Sequence, residues 1–409
     1  MSNTRKPIKE LGKFYEYLKD HELREKEQST GHLNIRDADF SDVSFEDPFL
    51  GIWKNFLFTN CYFPASPAFQ LEATTGCVFN MCEFGPGRKD VTMHFGTMKN
   101  CRFQKCKFKN GNIGLRQGEG SFTNCEFENT TSSEHSWNYF IAGNYLLLTR
   151  CKFENYDVAG DTKLHMKNCD FNPSGHGSLH SGHEYTADFI LEDTRITNAE
   201  EILWNKKINN LTLRGCEVKG KFSTQEGIIR DSITLEKLKV GSYFFGRSGT
   251  EKKITVRDCH FSEVNKNTTR LFNCSADYAE EALFERVEAA NTAAVDLTGA
   301  GEGTGLTENF RLAVTRNKTF TLRGCKIPHL MVNWGQTHHL VIEDCEFGTL
   351  ELKDGRIGNV TIKNTKFGTL DISKTLATKF DIDKASAASG KIVTAGSNYP
   401  KGGHKIDAK

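Results

Sequence analysis

Cys345-Glu-Phe-Gly-Thr-Leu350-Glu-Leu-Lys-Asp-Gly355-Arg-Ile-Gly-Asn-Val360-Thr-Ile-Lys-Asn-Thr365-Lys-Phe-Gly-Thr-Leu370 repeats in steps of five, and that period decides the fold. Counted in fives from Phe320, the chain returns Cys325, Leu330, Leu340, Cys345, Leu350, Val360, Leu370 and Phe380, with small or polar residues at the steps between. Two positions after these stand Leu322, Ile327, Val332, Ile342, Phe347, Leu352, Ile362, Phe367, Ile372 and Ile382. An α-helix places a face every 3.6 residues and a flat strand every 2, so neither holds this period. A chain that turns a corner about every five residues and closes a coil about every twenty buries both apolar positions. Its coils then stack at about 4.8 Å through strand hydrogen bonds.

Like residues return above one another at this spacing: Cys325, Cys345 and Thr365 in one column, Leu330, Leu350 and Leu370 in another. The segment resembles the pentapeptide-repeat family. That resemblance implies a right-handed parallel β-helix, all-β and quadrilateral, with about 20–22 residues per coil.

Upstream the rule loosens to an apolar pair followed by C-x-F. Copies centre on Cys61, Cys82, Cys101, Cys125, Cys151, Cys169, Thr194, Cys216, Leu238 and Cys259, with Phe or an aliphatic residue two positions later. Cys77 with Phe79 and Cys106 with Phe108 are further pairs in phase. Unequal gaps between copies are what a fixed corner and strand plus a loop of variable length produce. The stretch between Cys259 and Cys325 is read as three coils, with Cys274 and the run Phe284 to Val287 as remnants of the pattern.

Leu11, Phe14, Tyr15, Leu18 and Leu23 recur at helical spacing among Lys and Glu, which predicts one amphipathic helix over Pro7 to Lys26. An open coil end exposes strand edges and apolar side chains, so the helix is expected to cap the stack. The organisation expected is residues 1–32 as this cap, 33–383 as the β-helix with loop insertions, and 384–409 as a closing segment with a flexible tail.

Thirteen cysteines raise the question of disulfides or metal. Most stand at ladder positions, where Cys acts as a small apolar group, and no CxxC pair occurs. A thiol-rich interior fits a reducing compartment. With neither a signal-peptide core nor a long apolar run, the expected location is the cytoplasm or a host cell reached by signal-peptide-independent secretion, with no membrane. Lys plus Arg number 53 against 52 Asp plus Glu, a net charge of +1. That balance offers neither the acidic face of a DNA mimic nor a basic footprint for nucleic acid.

If inward positions are packing, function lies in loops and on faces. His176, His180, His183 and Glu184 form an H-x3-H-x2-H-E string able to hold zinc if the loop wrapped round it, but its Gly and Ser content opposes a preset geometry. The metal reading is therefore the weaker one. Alternating glycines from Gly299 to Gly305 lack the Lys and the strand-to-helix setting of a phosphate loop and read as an insertion. Of Trp53, Trp137, Trp204 and Trp334, Trp334 and Trp204 are singled out as a possible interaction surface, Trp334 because it precedes Gly335 in an outward position.

Two function classes follow. One is a non-catalytic interaction scaffold binding another protein. Its Asn-Cys-x-Phe pattern is similar to pentapeptide-like β-helix domains of bacterial type III secretion effectors, which implies a virulence-associated effector or bacterial scaffold with its activity left open; the repeats run to Phe380 and leave no room for a catalytic lobe in this chain, and no cofactor is expected. The other is a carbohydrate-acting β-helix enzyme, a lyase or glycoside hydrolase, which would stack carboxylates or bases on adjacent coils. The pairs Lys99-Asn100, Thr123-Asn124, Thr149-Arg150, Lys167-Asn168 and Glu192-Asp193 show no acidic column, so no catalytic residue is assigned. The open ends of a solenoid also allow two copies to pair end to end.

Overall fold

The structure is a computed structural model. It describes residues 5–29, 31–43, 51–64, 69–85, 92–115, 117–129, 140–173, 179–180, 188–199, 207–223, 228–241, 244–246, 252–262, 272–274, 279–290, 294–296, 317–332 and 336–397. The fold is an all-β parallel solenoid, as the right-handed β-helix reading requires. It divides into two units, Met1–Arg195 and Ile196–Lys409, each built of in-register parallel coils.

In the first unit Asp39, Tyr62, Glu83, Lys107, Glu126, Lys152 and Asp170 are successive strand partners. In the second, Glu217, Lys239, His260, Glu288, Lys326, Glu346 and Lys366 play that part. Steps such as Tyr62 to Glu83, Glu217 to Lys239 and Glu346 to Lys366 have the expected coil length. Lys152 to Asp170 is shorter, and an insertion makes Glu288 to Lys326 much longer. Two corrections follow. The stretch from Cys259 to Cys325 is two steps, through Val287 and Glu288, and not three. Cys106 stacks on Cys82, because Lys107 pairs with Glu83, whereas Cys101 belongs over Cys77, because Arg102 pairs with Val78. A period of five is blind to a slip of one pentapeptide.

Each corner of the Cys61 column is made by a residue in the left-handed region. In the first unit these are Asp37, Asn60, Met81, Lys105, Asn124, Arg150, Asn168 and Asp193, all with φ near 50°. Asn and Asp tolerate this conformation best, which accounts for the Asn-Cys pairs. Among the described residues twelve cysteines are buried and free. The ladder side chain is an acceptor as well as a donor. The Cys345 N–H donates to Thr365 Oγ1, while the Thr365 hydroxyl donates to its own coil at Lys363 O, 2.9 Å away. Cys345 Sγ stands in the same relation to Glu343 O. Hydroxyl and thiol are thus interchangeable there, and Thr194 and Thr365 occur in place of Cys.

The two cores differ. Phe58, Phe79, Phe103 and Phe122 stack with centroids 5.0, 4.6 and 4.4 Å apart. Phe84, Phe108, Phe127 and Phe153 form a second column with spacings of 4.7, 4.7 and 4.6 Å. Strand spacing of about 4.8 Å brings identical rings within stacking distance. The equivalent interior of the second unit is mainly aliphatic: Leu213, Leu235, Val256, Leu322, Ile342 and Ile362. Gly348 and Gly368 stand where coils approach closely, since a Cβ on Gly348 would meet Pro328 O at 2.5 Å.

The N-terminal segment is not one helix over Pro7 to Lys26. Lys6–Pro7 is a strand paired with Ala38–Asp39, followed by helices α1 (Gly12–Lys19) and α2 (His21–Gln28). Extended backbone at Asp20 separates them, and its Oδ1 accepts from Leu23 N. Ile8, Tyr17 and Leu18 are buried, whereas Leu11, Phe14, Tyr15 and Leu23 are half-buried, so only Leu18 of the expected apolar face is fully covered. At the other end helix α3 (Lys384–Ala387) and strand Lys391–Val393 close the stack. Ser386 Oγ accepts from Thr365 N at 2.9 Å and Ser389 Oγ from Phe367 N at 3.1 Å. Ser386 therefore continues the column of Cys325, Cys345 and Thr365 as its last member. Among the described residues no helix is long and apolar enough to cross a membrane.

Candidate functional site

Outward columns form where residues of one strand lie in register with those of the next coil. Three columns border the Cys corner: the left-handed residue itself, the residue before it, and the residue two earlier still. In the first unit the middle column runs Thr59, Asn80, Gln104, Thr123, Thr149 and Lys167. The outer one runs Leu57, Val78, Arg102, Ser121, Leu147 and His165. Together with the corner residues Asn60 to Asn168, these columns carry Arg102, Lys105, Arg150 and Lys167 and no carboxylate. All four cations are exposed. Arg102 and Lys105 have no side-chain ion pair or hydrogen bond among the described residues. Arg150 Nε donates to Asn124 Oδ1 at 2.9 Å, which leaves it without a carboxylate partner in the stripe. Carboxylates resume beyond the stripe with Glu192, whose Oε2 lies 3.8 Å from Lys167 Nζ and 3.1 Å from His165 Nε2.

The second unit fills the middle column with alternating charge: Arg214, Glu236, Arg257, Glu285, Arg323, Glu343 and Lys363. Neighbours pair along it, Arg214 to Glu236 at 2.9 Å, Arg257 to Glu285 at 2.6 Å and Arg323 to Glu343 at 3.1 Å. At the corner Arg286 donates to Asp258 Oδ2 at 3.0 Å, and this hydrogen bond lowers the Asp258 carboxyl. A fourth column, the residue between Cys and Phe, alternates in the first unit, as in Glu83, Lys107, Glu126, Lys152 and Asp170. The sequence displays these alternations once copies are aligned on the corner.

One compact polar network lies elsewhere in the second unit. Glu351 and Asp371 are in-register partners on adjacent coils. Lys353 Nζ lies 3.1 Å from Glu351 Oε2 and 3.3 Å from Asp371 Oδ2, while His329 Nε2 meets Glu351 Oε1 at 2.8 Å. Hydrogen bonding to Glu351 first, then to Asp371, raises the Lys353 ammonium. Partial burial works to raise Asp371, yet hydrogen bonds from Ser373 bring it below the usual carboxylate range. The Asn-Cys neighbourhoods carry no trace of this stack, which is signalled in the sequence only by the return of acidic residues one coil apart.

Of the residues singled out from sequence, His176, His183, Glu184, Trp204 and Trp334 lie outside the described residues, as do Trp137 and Gly299 to Gly305. His180 belongs to strand Leu179–His180, paired with Val158–Ala159, and nothing further of its side chain is described. Trp53 is buried among Phe40, Phe58 and Phe69 and is packing. Among the described residues no group of three or more His, Cys, Asp or Glu is arranged to hold a metal ion. Burial pushes the Cys259 thiol up to about 12, whereas the hydrogen bond with Cys77 lowers the Cys101 thiol.

No protein-family model matches the chain, and no curated protein does. Among solved structures, a mannuronic acid specific polysaccharide family 6 lyase from human gut microbiota aligns over 93% of this chain and 82% of its own. It is 12% identical with a TM-score of 0.21, a similarity too slight to bear on fold or function here.

Proposed function

We propose that this chain is a non-catalytic protein-interaction scaffold, a pentapeptide-repeat-like β-helix of the kind that bacterial effectors carry, acting in the cytoplasm or in a host cell. The observation that carries this reading is the carboxylate-free stripe of the first unit. Its exposed cations and amides are held in register on strands whose inward neighbours are fully packed. Rigid, pre-positioned side chains lose little freedom on binding, which favours use as a docking surface. The charge ladder of the second unit, by contrast, satisfies its own ions and supports a spacer role.

A carbohydrate-acting enzyme is the second reading, and among the described residues the Glu351 and Asp371 pair is the feature that favours it. Paired carboxylates serve such chemistry when one is free to accept and one to donate a proton. Here Lys353 bridges both, which fits a stitch between coils better than an acid and base pair. Purified protein incubated with polyuronates and neutral glycans is expected to release neither unsaturated nor reducing ends. Turnover abolished by Glu351→Gln would overturn the scaffold reading.

A further inference from the structure

Resting on the scaffold reading, we infer that the partner of the first unit is an acidic polypeptide segment, bound along the stripe that Arg102, Lys105 and Arg150 define. Three features single out this chemistry. Arg102 and Lys105 are exposed cations of one coil with no ion pair among the described residues, and the Arg150 corner lies two coils further along, about 10 Å away at strand spacing. The corner-face arginines of the second unit, Arg214, Arg257, Arg286 and Arg323, by contrast each meet a carboxylate. Between these cations lie amides and hydroxyls, Gln104, Thr123, Asn124 and Thr149, able to hydrogen-bond the carboxylates and backbone of an extended chain.

The lining also discriminates among polyanions. Sugars and nucleic-acid bases are commonly held by stacking on exposed aromatic rings. None of the described residues of the stripe is Phe, Tyr or Trp: the outer column offers Leu57, Val78 and Leu147, half-buried, and the corner column Met81. Aliphatic groups beside cations suit a peptide with acidic and apolar side chains. Asp37, which accepts from Asn60 Nδ2 at 2.6 Å, closes the near end of the stripe, and Glu192 and Asp193 close its far end, so the attractive region is bounded.

The test uses the full chain and labelled poly-L-glutamate, polyuronate of matched charge and single-stranded DNA, followed by fluorescence anisotropy at low and moderate salt. Poly-L-glutamate is expected to bind, to weaken with salt, and to lose about tenfold or more in affinity in the triple variant Arg102→Glu, Lys105→Glu, Arg150→Glu. Lys379→Glu, on an exposed strand position of the second unit, should leave binding unchanged. Circular dichroism and thermal melting establish that the triple variant is folded; if it is not, the single variant Lys105→Glu supplies the comparison, with a smaller loss expected. Equal binding by parent and variant, or tighter binding of polyuronate or DNA than of poly-L-glutamate, would overturn the inference. Failure here is distinct from failure of the scaffold reading, which only glycan turnover dependent on Glu351 would overturn.

Discussion

At the Cys-corner face the first unit holds its coils together from inside, the second also from outside. Columns of stacked phenylalanines run through the first, from Phe58 to Phe122 and from Phe84 to Phe153, beneath a corner face of amides, hydroxyls and unpaired cations. Beneath the second unit's alternating ions the core is mainly Leu, Ile and Val. Both solve one problem: parallel coils slide past one another unless something specifies register. Identical rings in register do this by packing, and alternating charges do it by penalising a slip that brings like charges together. A face freed from that task can keep cations unpaired for a partner.

The largest effect that would break this account comes from the shared ladder. Cys345→Asp places a carboxylate where the thiol is 3% exposed, which should cost several kcal/mol in urea denaturation or force protonation. Cys345→Thr should stay within about 1 kcal/mol, since Thr365 already performs both hydrogen bonds one coil later. An unchanged melting temperature for the Asp variant would mean the inward assignment is wrong.

Core truncation sharpens the contrast between units. Phe103→Ala should cost about 3–5 kcal/mol and Leu340→Ala rather less, near the lower part of the roughly 2–5 kcal/mol typical of such changes. Phe103 stacks on both Phe79 and Phe122, and that contact adds to burial. Equal losses in the two variants would leave the aromatic columns with no special part.

Outer faces are compared by introducing the same residue. Arg257→Glu sets three carboxylates in succession between Glu236 and Glu285 and is expected to destabilise by about 1–2 kcal/mol. Thr123→Glu in the first unit should fall within about 0.5 kcal/mol. Raising the salt concentration should narrow the gap, because both positions meet solvent. A gap that persists at about 1 M salt would point to packing instead of charge.

The smallest effect is acid sensitivity at the end of the second unit. Asp383 Oδ2 accepts from Asn364 N and Oδ1 from Ser386 N, at 2.6 and 2.7 Å. Burial opposes ionisation, but these N–H donors hold the carboxyl below its ordinary value of 3.8. A depressed folded value means the contribution is complete above the ordinary range and fades as pH falls through the folded value. Hydrogen exchange at Thr365 and Phe367 should therefore quicken in acid, relative to Asp383→Asn, while amides of the first unit remain protected.

Much of the fold was legible because burial follows a local rule. Inward positions such as Cys61, Phe63, Leu350 and Ile362 could be assigned from period alone, and the interchange of Cys with Thr marked a corner needing a small side chain. The candidate face was legible only in fragments. Thr123-Asn124 and Thr149-Arg150 drew attention as varying pairs, but their meaning depends on Gln104 and Lys105, which lie beside them only after Cys106, and not Cys101, is placed over Cys82.

By itself, then, the sequence determined which side of each strand faces inward, where corners fall and that coils stack in parallel, since apolar periodicity and the tolerance of Asn and Asp for left-handed backbone act within a few residues. Tertiary structure alone decided which coil meets which, that Ser386 completes a column begun by cysteines, that Asp20 divides the cap into two helices, and that Arg102 and Lys105 are left without partners among the described residues. Coil pairing joins Lys152 to nearby Asp170 but Glu288 to the far more distant Lys326, and loops of any length satisfy a period of five equally. Only the hydrogen-bonded register between strands breaks that tie.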